Sequence, residues 1–306
     1  MNAPEIVVEG LSRHYGNVVA LDDVSFTVPA GSIVGLLGRN GAGKTTLMGH
    51  ITGQIRTTNG KVTVGGKTPF ENSEVQESLV FIRDNQRYPD DYKLIHALRA
   101  AKAFHPEWDD DLAEELVDVF RLPRKKPVVK KFSRGQLSAL GIVIGLASKA
   151  PLSIFDEPYL GLDATARQKF YDVLIREFHK TERTVFLSTH LIDEMAPLLE
   201  HVIVLEKGKK IFDGSAEDAG NLAYAAAGMS PAVEKFAVGK TALTKHQIGS
   251  LASFTFAGAI TDEIRADAKA AGVEVSAATL QQAVSALGAE GSDDFEETPY
   301  RKGGNR

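Results

Sequence analysis

Gly38-Arg39-Asn40-Gly41-Ala42-Gly43-Lys44-Thr45 satisfies the pattern G-x-x-x-x-G-K-[ST] at every fixed position. Each residue type in it has a physical task. Glycines let the backbone curl until successive N–H groups point inward at phosphate oxygens, the Lys44 ammonium reaches the β- and γ-phosphates, and the Thr45 hydroxyl ligates Mg²⁺. The flanks agree: Ser32-Ile33-Val34-Gly35-Leu36-Leu37 reads as a buried strand entering the loop, and Thr46 to Ile51 as the helix leaving it, its N-terminus aimed at the anion. A chance match in a chain of this length is on the order of one in a hundred. The chain is therefore expected to bind a nucleoside triphosphate. A second Gly-Lys-Thr, at Gly239-Lys240-Thr241, fails the same test, because Glu234 stands where the first glycine belongs and no apolar strand leads in. It reads as a surface loop.

Leu152-Ser153-Ile154-Phe155 is a mostly apolar strand that delivers two adjacent carboxylates, Asp156 and Glu157. Ligands of open parallel sheets bind beyond the carboxyl ends of strands. There Asp156 can hold Mg²⁺, directly or through water, and Glu157 can polarise an attacking water as general base. Beside a phosphate loop, two carboxylates suit hydrolysis better than nucleotide storage.

The 306 residues exceed one typical domain, which predicts one full domain plus a smaller appendage. A net charge of -5 leaves no basic footprint, so no nucleic-acid partner is expected. The absence of cysteine removes disulfides and thiolate metal sites and agrees with a reducing cytoplasm. Met1-Asn2-Ala3-Pro4-Glu5 carries no charged region followed by an apolar core, so no signal peptide is read. The longest apolar run, Leu140 to Ala147, falls short of the roughly 18 residues that a span needs. A membrane role would have to come through a partner.

Glu5 to Glu9 and Val24 to Val28 read as strands around a turn at Tyr15-Gly16-Asn17, followed by strands at Lys61 to Val64 and Leu79 to Ile82. Ile95 and Leu98, then Leu112, Leu116 and Phe120, recur at helical spacing, which predicts an inserted helical lobe over about 88–147. Strands return at Leu152 to Phe155, Thr184 to Leu187 and His201 to Leu205, with a helix from Ala164 to Phe178. The expected class is α/β, a P-loop NTPase with a β-rich N-terminal lobe and a parallel sheet flanked by helices. Its ATPase domain would occupy residues 1–220. Residues 221–290 read as a small α+β accessory domain, with a strand at Ser253 to Phe256 and a helix at Asp262 to Ala271. Residues 291–306, acidic then basic, have the composition of a disordered tail.

Phe132-Ser133-Arg134-Gly135-Gln136 opens a helix that runs through Leu137 to Leu146, and it resembles the LSGGQ signature of ATP-binding cassette (ABC) ATPases. Other pieces follow in the family's order: Tyr15 where an aromatic stacks on adenine, Gly161-Leu162-Asp163 as the D-loop, and Ser188-Thr189-His190 as the segment of the switch histidine. Taken singly, Tyr15 reads as a turn aromatic, Asp163 as a helix N-cap and His190 as a strand-end cap. The resemblance covers roughly residues 5 to 215. It implies ATP and Mg²⁺ as cofactors, held by residues 38–46 and Asp156, with Glu157, His190 and Lys44 as the catalytic residues. It also implies a second ATPase subunit, identical or related, whose Ser133, Gly135 and Gln136 close over the first subunit's ATP. His190 would sense the γ-phosphate, and Asp163 would couple the two sites.

Two residues depart from the family pattern. Phe132 and Arg134 replace leucine and glycine in the signature, which brings a positive charge close to the trans phosphate. At the Q-loop, Asp84 stands where the family carries glutamine and Gln86 follows two residues later, so either is placed for the Mg²⁺ and water contacts. Acidic replacements of this kind, and an extra C-terminal segment, resemble ATPases of multidrug and peptide-antibiotic exporters. The basic run Arg121, Arg124, Lys125, Lys126, Lys130 and Lys131 reads as a solvated lobe surface, with a partner's acidic groups or anionic lipid as alternatives. The expected function is that of an ATPase subunit, peripheral on the cytoplasmic face of the membrane, driving a separate permease, an exporter rather than an importer. A soluble mechanochemical ABC ATPase of DNA repair or translation is the alternative class, although neither a long coiled-coil insertion nor a second cassette is present.

Overall fold

In the computed structural model, residues 3–84, 86–125 and 128–290 are described. The expected tail from Gly291 and the basic residue Lys126 lie outside them. The chain divides into two compact units, the first ending at Ala219 and the second beginning at Gly220.

The first unit opens with a hairpin of β1 (Ile6–Tyr15) and β2 (Val18–Val28). Apolar residues at alternate positions, Ile6 and Val8 on β1 and Val24, Phe26 and Val28 on β2, turn one face of the hairpin inward. A fully buried strand, β3 (Ile33–Leu37), then runs into the phosphate loop and α1 (Lys44–Ile51). Next, β4 (Lys61–Val64) pairs antiparallel with β1 and completes a three-stranded sheet, and α2 (Ser73–Ser78) leads to β5 (Leu79–Arg83). The inserted lobe carries α3 (Leu94–Phe104), α4 (Asp110–Val119) and α5 (Arg134–Ala147). Leu112 and Leu116 face inward as their spacing predicts, but on α3 the buried face is Leu94, Ala97 and Leu98, and Ile95 is exposed. The pair Ile95 and Leu98 has helical spacing, yet the stripe that packs runs one residue earlier.

After the lobe come β6 (Leu152–Asp156), α6 (Ala164–Thr181), β7 (Thr184–Thr189) and the short α7 (Ile192–Met195). The unit closes with β8 (His201–Glu206), β9 (Lys209–Ser215) and α8 (Ala216–Gly220). The second sheet has the order β5-β6-β7-β3-β8-β9, with β9 alone antiparallel. Strands β3, β6 and β7 are buried on both faces, which is why they read as short continuous apolar runs. Leu47, Met48 and Ile51 of α1 join Phe26, Ile154 and Phe186 in one core. Two glycines let α5 lie against the sheet: a Cβ at Gly141 would come 2.7 Å from Ile82, and one at Gly145 2.5 Å from Phe155.

The second unit comprises β10 (Ala223–Met229), α9 (Ser230–Phe236), β11 (Ala242–Ile248), β12 (Leu251–Ala257), α10 (Asp262–Ala271), β13 (Glu274–Ala277) and α11 (Leu280–Glu290). Its strands form an antiparallel sheet in the order β11-β12-β10-β13. Tyr224, Phe236, Phe254 and Phe256 fill its core, with the Tyr224 and Phe256 rings stacked at 5.2 Å. Lys240, from the second Gly-Lys-Thr, lies 4.3 Å from the Phe236 ring and donates to the Phe236 carbonyl. It anchors a turn rather than a phosphate loop.

Candidate functional site

Parallel pairing brings the carboxyl ends of β6, β7 and β3 side by side, with Asp156 opposite Ser188 and Leu37 opposite Thr189. They present residues 38–42, Thr45, Asp156-Glu157 and His190 to one cleft of about 1020 Å³, lined also by Asp84 and Arg134; Gly43 and Lys44 stand behind its lining. Glycine is required at both ends of the loop. Gly38 and Gly43 have φ values of 146° and 107°, and a Cβ would fall 2.3 Å from the Leu205 carbonyl oxygen and 2.5 Å from that of Ala20. Between them, Arg39, Asn40, Gly41 and Ala42 border the cleft.

Lys44 begins α1 and is buried, its Nζ donating to the carbonyls of Gly38 at 2.7 Å and Arg39 at 3.2 Å. Burial pulls its pKa below the ordinary lysine value, against the opposing charges of Glu157 and Asp156. The Thr45 hydroxyl donates to Asp156 Oδ2 at 3.1 Å, and Thr46 follows, half-buried in the first turn. On the other carboxylate oxygen, Asp156 Oδ1 accepts from the Ser188 hydroxyl at 2.6 Å. Ser188 Oγ in turn accepts from the Glu157 backbone N–H at 3.0 Å, so one serine ties the Asp156 carboxylate to the backbone of Glu157. The His190 ring reaches Glu157, with Nδ1 at 2.5 Å from Oε2. Tyr159 also bonds this oxygen, at 3.0 Å.

The signature residues do two separate things. Ser133 caps α5: its Oγ accepts from Gln136 N–H at 3.2 Å while the Gln136 side chain accepts from Ser133 N–H at 3.0 Å. Gly135 packs against the D-loop, where a Cβ would lie 2.4 Å from the Gly161 carbonyl oxygen. Arg134, by contrast, turns into the cleft of its own chain and donates through Nη2 to Asp84 at 2.9 and 3.1 Å. The two departures from the family pattern are thus partners. Gln86 lies elsewhere, its Oε1 buried without a hydrogen bond in a separate cavity beside Tyr88 and Tyr92.

Asp163 caps α6, accepting from Ala166 N–H at 2.8 Å. Tyr15 ends β1, about half exposed, with the Arg13 guanidinium 4.8 Å from its ring centroid. Neither Tyr15, Asp163, Ser133 nor Gln136 borders the cleft. Sequence reasoning passed over Tyr159 and gave Ser188 no role of its own. Ser188 carried the faint signal of standing two residues before His190, but nothing in the sequence shows which strand end faces which.

An ABC transporter family match covers residues 21–160. The chain is 31% identical over 215 residues to an ABC transporter ATP-binding protein of Methanocaldococcus jannaschii, spanning 70% of this chain and 79% of the relative. It is 34% identical over 217 residues to an ABC transporter ATP-binding protein of Bacillus subtilis, spanning 68% of each. Among solved structures, the ATP-binding subunit of an ABC transporter superposes with a TM-score of 0.63 at 27% identity, covering 70% of this chain and 91% of the other.

Proposed function

The chain belongs to the ABC transporter family as an ATP-binding subunit and is an ATPase, and from that premise we propose how its cleft performs hydrolysis and drives a separate membrane-spanning permease. One observation carries the reading: residues 38–42, Thr45, Asp156, Glu157 and His190 meet at three adjacent strand ends in a single cleft. The loop's N–H groups and the α1 N-terminus take the phosphates, and Lys44 exchanges its loop carbonyls for phosphate oxygens. Thr45 Oγ1 and Asp156 Oδ2 are hard oxygen donors already in hydrogen-bond contact, a pair suited to Mg²⁺. Among the described residues no three His, Asp or Glu side chains cluster tightly enough to hold an ion alone, which fits a metal that takes its other ligands from phosphate and water. Bound there, Mg²⁺ would neutralise charge on the β- and γ-phosphates.

Glu157 removes a proton from water as that oxygen attacks the γ-phosphorus, and the bond to the bridging oxygen breaks to release ADP and phosphate. His190, in contact with the Glu157 carboxylate, stands where it can follow the γ-phosphate. Two copies would sandwich two nucleotides, each offering its Ser133 end of α5 to the other's phosphate. Among the described residues no helix is long and apolar enough to cross a membrane, so attachment to the inner face would run through the permease. Export is the proposed direction, supported by Asp84 and the appended second unit, both of which resemble exporter ATPases.

Glu157→Gln keeps the shape and removes the base, so turnover should fall by about 10²–10⁴ while ATP affinity survives. With ATP the variant should accumulate as a dimer in size-exclusion chromatography with light scattering. Hydrolysis at the wild-type rate would defeat the base assignment.

A further inference from the structure

Tyr159 lies two residues beyond Glu157, and its side chain is only 1% exposed. A buried phenol needs partners, and this one has three: Glu157 Oε2 at 3.0 Å, the His190 backbone N–H at 3.1 Å and the Thr189 hydroxyl. The chemistry of those partners fixes the direction of each bond. A backbone N–H only donates and a carboxylate only accepts, while Thr189 Oγ1 already accepts from Leu191 N–H at 2.9 Å. The phenol oxygen therefore receives His190 N–H, and the phenol proton goes to Glu157. Burial and the adjacent Glu157 charge push the Tyr159 pKa well above the ordinary tyrosine value, so the donor keeps its proton at neutral pH.

Both side-chain contacts fall on the same carboxylate oxygen. Oε2 is held by Tyr159 at 3.0 Å and by His190 Nδ1 at 2.5 Å, and among the described residues Oε1 has no hydrogen-bond partner. The backbone of Glu157 is held too, with φ at 51°, a left-handed conformation unusual for this side chain, and its N–H on Ser188. The carboxylate is clamped through one oxygen. The other carries no such bond, on a residue that lines the cleft.

We propose that Tyr159 is a positioning residue for ATP hydrolysis: its hydroxyl, braced by Thr189, fixes the rotamer of Glu157 so that Oε1 meets the attacking water. The inference rests on Glu157 acting as the base. Phenylalanine at 159 keeps the ring that packs 5.8 Å from His190 and deletes only the hydroxyl.

Four proteins test this: wild type, Tyr159→Phe, Glu157→Gln and the double variant, each measured by single-turnover hydrolysis, ATP titration and thermal melting. Tyr159→Phe should lower the rate about tenfold or more, the loss expected for one hydrogen bond to a charged group, with ATP affinity unchanged. In the Glu157→Gln background it should slow nothing further, because a clamp has no effect once the base is gone. Thr189→Val should act in the same direction and be silent in the same background, which keeps the test decisive should Tyr159→Phe fold poorly. A Tyr159→Phe effect as large in Glu157→Gln as in wild type would overturn the proposal, as would a wild-type rate for Tyr159→Phe. A wild-type rate for Glu157→Gln would instead sink the base assignment beneath it.

Discussion

Arg134 and Asp84 are each out of place by the family's pattern, and each explains the other. The guanidinium donates through Nη2 to both Asp84 oxygens at the border of the cleft, where the family has a glycine and a glutamine that could make no ion pair. The Arg134 side chain is 61% exposed and that of Asp84 32%, so the pair contributes on the order of 1 kcal/mol or less to stability. Its consequence lies in electrostatics at the nucleotide. Asp84 holds a cation at the lining of the cleft proposed to take the phosphates and spends its own charge doing so. Arg134→Ala and Asp84→Ala should each move the melting temperature by less than about 4 °C. On ATP affinity and turnover the double variant should resemble Arg134→Ala alone, since Asp84 without its cation has nothing left to place; a nucleotide titration in which the two single effects multiplied would show independent groups. Both departures were visible in the sequence one at a time. Their pairing was not, because fifty residues separate them and only the packing of α5 against β5 brings them together.

At the scale of elements, α5 ties the signature to helix physics. From Ser138 onward it is buried along its length, and Ser133 with Gln136 satisfies donors at its N-terminus that no helical carbonyl can reach. Capping and phosphate binding both ask for a polar residue there, so Ser133→Ala, which costs about 1 kcal/mol as a lost cap, confounds the two. Ser133→Asp separates them. Aspartate caps as well as serine does, so the melting temperature should hold, but its charge would repel a partner's γ-phosphate, and the ATP-dependent dimer of a Glu157→Gln background should be lost in light scattering. A dimer that persisted would leave Ser133 as a cap and nothing more. Elements whose periodicity comes from burial were legible: β3, β6 and β7 as apolar runs, α4 by Leu112 and Leu116. Strand β10 was not, because Ala223-Tyr224-Ala225-Ala226-Ala227 has little intrinsic preference for strand and gains its place from β12 and β13 on either side. The short β13 and the antiparallel edge β9 were hidden for the same reason, their pattern being set by neighbours distant in sequence.

For the whole molecule, the position of the site along the chain decides what can be removed. Every described residue bordering the cleft lies between Gly38 and Lys207, and the first unit ends at Ala219. Its main core joins the two sheets to α1, Val75 of α2 and Ala42 of the loop, whereas Tyr224, Val233, Phe236, Phe254 and Phe256 form a separate core beyond Gly220. Two cores imply two folding units, and cutting between them breaks no strand of either sheet. A chain ending at Gly220 should therefore melt cooperatively, bind ATP with unchanged affinity and lose its turnover on Glu157→Gln as the full chain does. The excised second unit is near the size at which a lone core becomes marginal, so it should melt earlier and more broadly in calorimetry, yet still show a transition. If the shortened chain instead failed to fold, the second core would be part of the first. If it folded and bound ATP but no longer dimerised in the Glu157→Gln background, the appended unit would be the element that governs assembly, acting on the partner without touching a phosphate.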